Sequence, residues 1–185
     1  ADKIPDTLVF VEHPAVITLG RGSLRTPDTV VDPRKIQVLE TERGGLATYH
    51  GPGQVVAYPI FKLGRNSNED THASRRGVHN LIRALESWVI DYLQEFNVPA
   101  GRVDEKTGVW IDGSRKIASI GIAARHWVSY HGLALNLSTG KEPWMLLNPC
   151  GLGAEVMTDL QSEISQKVSF QDAVSRLSLL AQKHF

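Results

Sequence analysis

One cysteine and one lysine have the surroundings most typical of chemistry. Cys150 is the single cysteine of the chain, and it lies between Pro149 and Gly151, which place its sulfur on a shaped turn. Most lone cysteines are buried and inert, but a thiol on such a turn can be presented as a nucleophile. A nucleophilic thiol needs a lowered pKa, which a neighbouring cation or imidazole supplies. The sequence must therefore provide a partner for Cys150.

Lys116 is the candidate cation, and two histidines are alternative partners. Lys116 begins the apolar, small-residue run 117–121, so its ammonium is expected at a strand end, beside a surface with room for a ligand. Close to Cys150 it would favour the thiolate, and after losing a proton it can act as a base. His50 and His131 each precede a glycine. For each of them two roles are open: the base of a Cys–His pair, or a side chain that hydrogen-bonds a loop. The residues alone leave these pairings open.

The glycine-rich stretches do not match nucleotide-binding motifs. The stretch 44–53 lacks the Gly-Lys-Ser/Thr of a phosphate loop, and Val156 stands where a dinucleotide motif needs its third glycine. Thr48, Tyr49 and Gln54 among these glycines suit close passage of an apolar chain or a thioester, with backbone amides as donors to a developing oxyanion. A solvent-facing turn has a similar composition. No histidine or cysteine spacing fits a metal site, so no metal is expected.

Strands around one long helix must position these residues. Strand composition occurs at 7–12, 15–19, 36–39, 55–60 and 127–137, and a hairpin turning at Asp112-Gly113 joins 108–111 to 116–123. Apolar periodicity predicts a helix over 78–96, capped by Thr71 or Ser74. A second helix is predicted over 169–185, with a capping box at its start. Hairpin-like strands with a central helix favour an α+β domain.

Length and composition exclude several classes of protein. A chain of 185 residues fits one domain with a buried core, and 20 basic against 20 acidic side chains give no net charge, which argues against nucleic-acid binding. A single cysteine excludes a disulfide framework. No apolar run approaches the roughly 18 residues of a membrane span, and residues 1–5 lack the apolar core and the cleavage pattern that are typical of a signal peptide. A cytoplasmic protein is expected, or one of an organelle matrix in a eukaryote.

Six motifs in order are more specific than any single residue. They are His13-Pro-Ala-Val-Ile-Thr-Leu-Gly-Arg-Gly22, Arg43-Gly-Gly-Leu-Ala-Thr-Tyr-His-Gly-Pro-Gly-Gln54, Gly108-Val-Trp110, Lys116-Ile-Ala-Ser-Ile-Gly121, His131-Gly-Leu-Ala-Leu-Asn136 and Asn148-Pro-Cys-Gly151. Together they resemble the lipoyl (octanoyl) transferase family, which makes octanoyl-protein from octanoyl–acyl carrier protein. The resemblance covers nearly the whole chain.

The resemblance implies an α+β fold like the catalytic domain of biotin and lipoate protein ligases, with a mixed, mostly antiparallel sheet packed with helices. Residues 1–185 are expected to form one acyltransferase domain. Family members carry a further strand and helix before the position of Pro5, so the chain is expected to lack a short N-terminal strand–helix segment.

The resemblance also implies a two-step acyl transfer without ATP or any cofactor. The Cys150 thiolate attacks the octanoyl thioester, and a lysine of an apo-lipoyl domain then takes the acyl group as an amide. Lys116 matches the family lysine that lowers the pKa of the cysteine and shuttles the proton. Three matching segments are implied to line the acyl pocket: Arg43, Gly44, Gly45, Leu46, Ala47, Thr48, Tyr49 and His50; Ser119, Ile120 and Gly121; and Gly132, Leu133 and Ala134.

Small residues of these segments leave a groove for a medium alkyl chain, and Gly132→Leu is predicted to shorten the chain that is accepted. The implied partners are octanoyl–acyl carrier protein and the apo-lipoyl domains of 2-oxoacid dehydrogenase complexes and glycine cleavage H protein. Five arginines have two possible interpretations. They form a docking face toward such acidic partners, or they are scattered over the solvent-exposed surface: Arg21, Arg25, Arg75, Arg76 and Arg83. The competing functions are an ATP-dependent lipoate or biotin ligase, a thioesterase, and a non-catalytic module that binds acyl carrier or lipoyl domains.

Overall fold

The computed structural model describes residues 5–23, 36–64, 77–147 and 153–185. Within these ranges the strands are β1 (Thr7–Val11), β2 (Val16–Leu19), β3 (Gln37–Glu40), β4 (Thr48–His50), β5 (Gln54–Ile60), β6 (Ala100–Val103), β7 (Lys106–Ile111), β8 (Arg115–Arg125) and β9 (Val128–Asn136). The α-helices are α1 (Val78–Gln94), α2 (Leu160–Glu163) and α3 (Phe170–His184), and short 3₁₀ helices cover Glu142–Leu146 and Ala154–Val156.

Six strands form the larger sheet, in the order β1-β5-β9-β8-β7-β6, and all of its neighbours are antiparallel. The predicted hairpin is confirmed as β7 and β8, with Asp112 at φ 51° and Gly113 at φ 69° in the turn. A second tight turn places His126 and Trp127 at positive φ between β8 and β9. Backbone pairing between consecutive strands therefore builds most of this sheet.

The smaller sheet has the order β3-β2-β4, with β2 parallel to β3 and antiparallel to β4. Residues 7–12 and 15–19 are predicted to form two adjacent strands, but β1 and β2 belong to different sheets. Pro14 lies at this crossover, where its missing N–H and fixed φ disfavour continued pairing. The chain thus leaves the larger sheet after β1 and returns to it at β5.

Alternation along the strands gives the larger sheet two different faces. Val55, Ala57, Val109 and Ile111 belong to the main core with α1 and α3, and the Trp88 indole N–H donates to the Leu177 carbonyl at 2.9 Å. The residues between them in β5 and β7 point to the opposite face. A second apolar cluster lies by the smaller sheet and contains Ile17, Ala47, Tyr49, Trp144, Leu147 and Met157.

Both predicted helices are confirmed, but their caps differ. The Ser169 hydroxyl accepts a hydrogen bond from the Asp172 amide at 3.1 Å, as the capping box predicts. The first helix starts after Gly77, which provides no side-chain cap, and the predicted caps Thr71 and Ser74 lie outside the described residues. None of the helices in the described ranges is long and apolar enough to cross a membrane.

The Ser129 hydroxyl connects β9 to β5 where Pro59 has no amide to donate. It donates to the Pro59 carbonyl at 2.6 Å and accepts from the Phe61 amide at 3.0 Å, and Ser129 is fully buried. We expect Ser129→Ala to lower the free energy of unfolding by about 1–3 kcal/mol, because the Pro59 carbonyl and the Phe61 amide each lose a buried hydrogen-bond partner. Urea denaturation checks this.

Ser178→Ala is the matched control, because the exposed Ser178 hydroxyl donates only within α3, to the Val174 carbonyl. It should change the free energy of unfolding by less than about 0.5 kcal/mol. Equal losses in the two variants would contradict a structural role for the Ser129 hydroxyl.

Candidate functional site

A cavity of about 480 Å³ lies between the two sheets, on the face of the larger sheet that the helices leave uncovered. This volume is typical of a small-molecule site. All the residues that the resemblance implied for the acyl pocket line it, except Gly44 and Tyr49. Tyr49 packs edge-on against Trp144 instead, with ring centroids 5.6 Å apart. The predicted segments therefore converge on one cavity.

Arg43 lies in the loop before β4, and its guanidinium is buried against β2. The Nη2 group donates to the Thr18 carbonyl at 2.6 Å, Nε donates to the Thr18 hydroxyl at 3.1 Å, and Nη1 donates to the Gly44 carbonyl at 3.1 Å. These bonds tie the loop to the smaller sheet while the side chain still borders the cavity. Arg43 is thus both part of the wall and the anchor of its own loop.

The glycines of this region permit close approach of backbone segments. The Gly44 amide donates to the Ile122 carbonyl of β8 at 3.2 Å, and the Gly22 amide donates to the Gly45 carbonyl at 3.0 Å. A Cβ at Gly121 would lie 2.8 Å from the Gly44 carbonyl oxygen, so a side chain there would push the loop away. The Gly44 amide is therefore used inside the fold, not offered to a ligand.

Gly132 has a similar structural role in β9. A Cβ at this position would collide with the carbonyl of Ala57 and come within 2.9 Å of Pro59 in β5. A leucine there would break the contact between two strands before it filled the cavity. Gly132→Leu is therefore a poor test of whether the cavity limits the length of the acyl chain. Ala134 lines the cavity beside Gly132 and is the better position for such a test.

A chain of buried amides fixes the tautomer of His50. The Gln54 side-chain amide donates to the Tyr49 carbonyl at 3.2 Å and to the Asn136 side-chain oxygen at 2.9 Å, which leaves its oxygen 2.8 Å from His50 Nδ1. Nδ1 therefore carries the proton, and Nε2 is an acceptor. Burial, with a smaller contribution from the nearby Arg43 charge, lowers the pKa of His50 to about 4. His50 is neutral at physiological pH.

Two more imidazoles border the cavity. His13 Nε2 lies 2.7 Å from the Tyr58 hydroxyl, and burial lowers the pKa of His13. His131 has φ 59° within β9, a conformation that costs a residue with a side chain about 1–2 kcal/mol, and such strain is concentrated at functional sites. Burial and the Arg43 charge lower the pKa of His131 as well. This part of the wall is polar but uncharged, apart from the guanidinium.

Lys116 also borders the cavity, at the beginning of β8. It is 4% exposed, and Nζ lies 5.2 Å from the centroid of the Trp110 ring, over its face. Its carbonyl accepts from the Thr158 amide at 3.0 Å, and its backbone forms an isolated parallel bridge with Met157. The predicted lysine is therefore a buried group in the cavity wall, not a solvated surface lysine.

Cys150 lies outside the described residues, as do Arg25, Arg75 and Arg76. The chain is described again from Gly153, and its next residues run beside Lys116. The Asn136 side-chain amide donates to the Thr158 carbonyl at 2.9 Å, and the Thr158 hydroxyl donates to Glu163 at 2.6 Å. Of the predicted arginine face, Arg83 is paired with Glu86 at 2.8 Å.

Sequence reasoning missed part of the cavity wall. His13, Thr18, Tyr58 and Trp110 line it, and none was proposed as a site residue. Strand alternation places Tyr58 and Trp110 on the face opposite the core, but the sequence does not show that a second sheet covers that face. Thr48 also lines the cavity, and its buried hydroxyl has no hydrogen-bond partner among the described residues.

Comparison with known proteins identifies the family. The family described as the lipoyl protein ligase A/B catalytic domain matches residues 1–179, and the chain belongs to it. An octanoyltransferase of Geobacter metallireducens is 43% identical over 172 residues, which cover 93% of this chain and 75% of the relative. One of Syntrophobacter fumaroxidans is 42% identical over 172 residues, covering 91% and 72%.

Solved structures share the fold at much lower identity. A bi-partite lipoate protein ligase of Thermoplasma acidophilum aligns with a TM-score of 0.71 and 19% identity, over 96% of this chain and 70% of that one. Biotin protein ligase of Aquifex aeolicus aligns with a TM-score of 0.50 and 11% identity, over 71% and 52%. The predicted α+β, ligase-like fold class is confirmed.

The low pKa of His50 makes stability depend on pH. Between about pH 6.5 and pH 4 the unfolded chain binds a proton at His50 and the folded chain does not. The contribution of neutral His50 to the free energy of unfolding is therefore complete above pH 6.5 and is lost as the pH falls. Between pH 7.5 and pH 4.5 we expect the wild type to lose about 2–3 kcal/mol more unfolding free energy than His50→Gln. Urea denaturation at the two pH values measures the difference.

His79→Gln is the control, because His79 is exposed on α1. It should lose stability with acid as the wild type does. If His50→Gln also follows the wild-type curve, His50 is not the buried neutral group described above.

Proposed function

We propose that Cys150 carries the acyl group as a thioester in the octanoyl transfer that this chain catalyses in protein lipoylation. The Cys150 thiolate attacks the carbonyl of an octanoyl thioester, the bond to the donor sulfur breaks, and a Cys150 octanoyl thioester forms. The neutral amine of an acceptor lysine then attacks that carbonyl, the Cys150 C–S bond breaks, and an amide forms. The donor thioester supplies the driving force, so the reaction needs no nucleotide.

Lys116 is the proposed proton carrier in both steps. It first takes the proton of the Cys150 thiol, and the resulting ammonium gives that proton to the departing donor thiolate. In the second step neutral Lys116 accepts the proton that the attacking amine loses as the amide forms, which restores the thiolate and the ammonium together. One buried amine beside the reacting sulfur therefore balances the protons of the whole cycle.

Three observations support this assignment. The family and the octanoyltransferase relatives, 42–43% identical over more than nine-tenths of the chain, supply the class of reaction. Lys116 is buried in the cavity wall, which is an unusual environment for a lysine without a chemical role. Met157, seven residues after Cys150 in the sequence, pairs with the Lys116 backbone, which limits how far from the lysine the cysteine can lie. The buried lysine carries the proposal.

The acceptor is a lipoyl-domain protein, consistent with the lipoyl domain that accompanies the Thermoplasma ligase. We further propose octanoyl–acyl carrier protein as the donor, and lipoyl domains of 2-oxoacid dehydrogenase complexes and glycine cleavage H protein as acceptors. The described cavity suits the acyl part of the donor, because apolar side chains of β5, β8 and β9 dominate the lining near Ala134. Each methylene buried there contributes about 0.8 kcal/mol.

The covalent intermediate gives the first test. Mixing with octanoyl–acyl carrier protein should add one octanoyl group to the wild type in the intact mass spectrum, and Cys150→Ala should show no adduct. Lys116→Met should form the adduct at least about 100-fold more slowly, because proton transfer to the leaving thiolate is lost. Lys183→Met, at an exposed position of α3, should behave as the wild type.

An adduct on Cys150→Ala would contradict the proposed intermediate. Pyrophosphate release from ATP and free octanoate would instead support the ligase alternative. Free octanoate formed in excess over octanoyl-protein, with an apo-lipoyl domain present, would indicate a thioesterase.

Chain-length preference gives a second test, at Ala134. Valine there adds two carbons to the cavity wall, so the last methylenes of an octanoyl chain lose their space. We expect the ratio of kcat/KM for octanoyl over hexanoyl donors to fall about tenfold, since two methylenes are worth about 1.6 kcal/mol. Steady-state kinetics with both donors measures this ratio.

Ala124→Val is the matched control, since Ala124 is exposed in β8 and does not line the cavity. Its ratio should equal that of the wild type. An unchanged ratio in Ala134→Val would place the acyl chain elsewhere.

A further inference from the structure

Glu86 is a fully buried carboxylate that the proposed reaction does not use. It lies in α1, and its side chain is 0% exposed. One oxygen accepts from Arg102 at 2.9 Å and from Arg83 at 2.8 Å, and the other accepts from the backbone amide of Gly108 at 3.1 Å. A buried carboxylate is costly unless its oxygens are satisfied, so this one is expected to determine the position of what it binds.

Gly108 begins the stretch of β7 that faces Lys116. Its φ is 122°, a conformation that side chains rarely permit. A Cβ at this position would lie 2.7 Å from Lys116 Cε, 3.3 Å from Lys116 Nζ and 2.5 Å from the Ala118 carbonyl oxygen. The space that the end of Lys116 occupies is therefore the space that the missing side chain leaves, and the Glu86 carboxylate holds the amide of the same residue.

The pairing of β7 with β8 changes register at this point. Val109 pairs with Ala118, but Trp110 pairs with Lys116, which leaves Ile117 as an extra residue in β8. Such a bulge re-aims the side chains beside it. Here it accompanies a lysine whose Nζ lies over the Trp110 ring in the wall of the cavity. The orientation of Lys116 thus depends on a local backbone geometry that begins at Gly108.

We propose that Glu86 is a positioning residue for Lys116: by holding the Gly108 amide, it maintains the β7 backbone that leaves room for the lysine at the cavity. This inference rests on the proposed function for its catalytic consequence, but not for its geometry. A side chain of α1, on one face of the larger sheet, thereby determines the position of the Lys116 amine on the other face. Glu86 acts only through Gly108 and Lys116, since it does not line the cavity.

The test is Glu86→Gln, because an amide side chain has one acceptor oxygen where the carboxylate has two. Either the Gly108 amide or the two arginines then face an NH₂ group. Lysine ε-methylene groups labelled with ¹³C report the position of Lys116, because protons over an indole face are shifted upfield, and Lys116→Arg identifies the signal. We expect the signal to move toward those of exposed lysines, and kcat to fall about 10- to 100-fold with little change in KM.

Glu95→Gln is the matched control, since it removes a carboxylate bound to Arg176 at the end of the same helix. It should leave both the signal and kcat unchanged. A Lys116 signal that stays in place in Glu86→Gln would overturn the positioning role, whatever happens to the rate. A signal that moves while turnover stays at the wild-type level would uphold the positioning role and contradict the proposed function of Lys116.

Gly108→Ala covers the case in which Glu86→Gln does not fold. It leaves α1 intact and places a methyl group where the end of Lys116 lies, so the same displacement of the lysine signal is expected. If the signal of folded Gly108→Ala is unchanged, the space at Gly108 does not define the position of Lys116, and the inference fails.

Discussion

The loop that contains Arg43 and Gly44 joins the two sheets, and the cavity between the sheets depends on the buried guanidinium of Arg43 that anchors this loop. Its bonds to Thr18 fix the loop to the smaller sheet, and the Gly44 amide fixes the same loop to β8 of the larger sheet. Gly121 must lack a side chain for this approach. The spacing of the sheets therefore follows from one cation and a few glycines, and an apolar slot between two sheets is the result.

The wall of this slot combines apolar surface with the Arg43 guanidinium and with imidazoles that are held neutral. His50 is kept uncharged by burial and oriented by Gln54 and Asn136, so it adds hydrogen-bonding capacity without a second buried charge near Arg43. A thioester and its alkyl chain suit such an environment, since neither needs a counter-ion. Lys116, whose amine the proposed acyl transfer needs, lies in the same wall.

Much of this arrangement could be predicted from the sequence, and the limits have physical causes. Periodicity and turn residues identified α1, α3 and the β7–β8 hairpin because these depend on local contacts. The division of β1 and β2 between two sheets could not be predicted, because strand pairing over long separations has no local signal. The glycines at 44 and 132 were assigned to the pocket by motif, but their amide and missing side chain serve contacts with β8 and β5. Glu86 carried no signal at all, since a carboxylate on an amphipathic helix usually faces solvent.

The central claim is that Lys116 acts on the Cys150 sulfur. The direct measurement is the pH dependence of Cys150 alkylation by iodoacetamide in the wild type and in Lys116→Met. A lysine ammonium beside the sulfur lowers the pKa of the Cys150 thiol, so the wild type should react at pH values well below those of an unperturbed thiol. In Lys116→Met the profile should shift up, to or above that of an unperturbed thiol. Superimposable profiles for the two proteins would contradict the account.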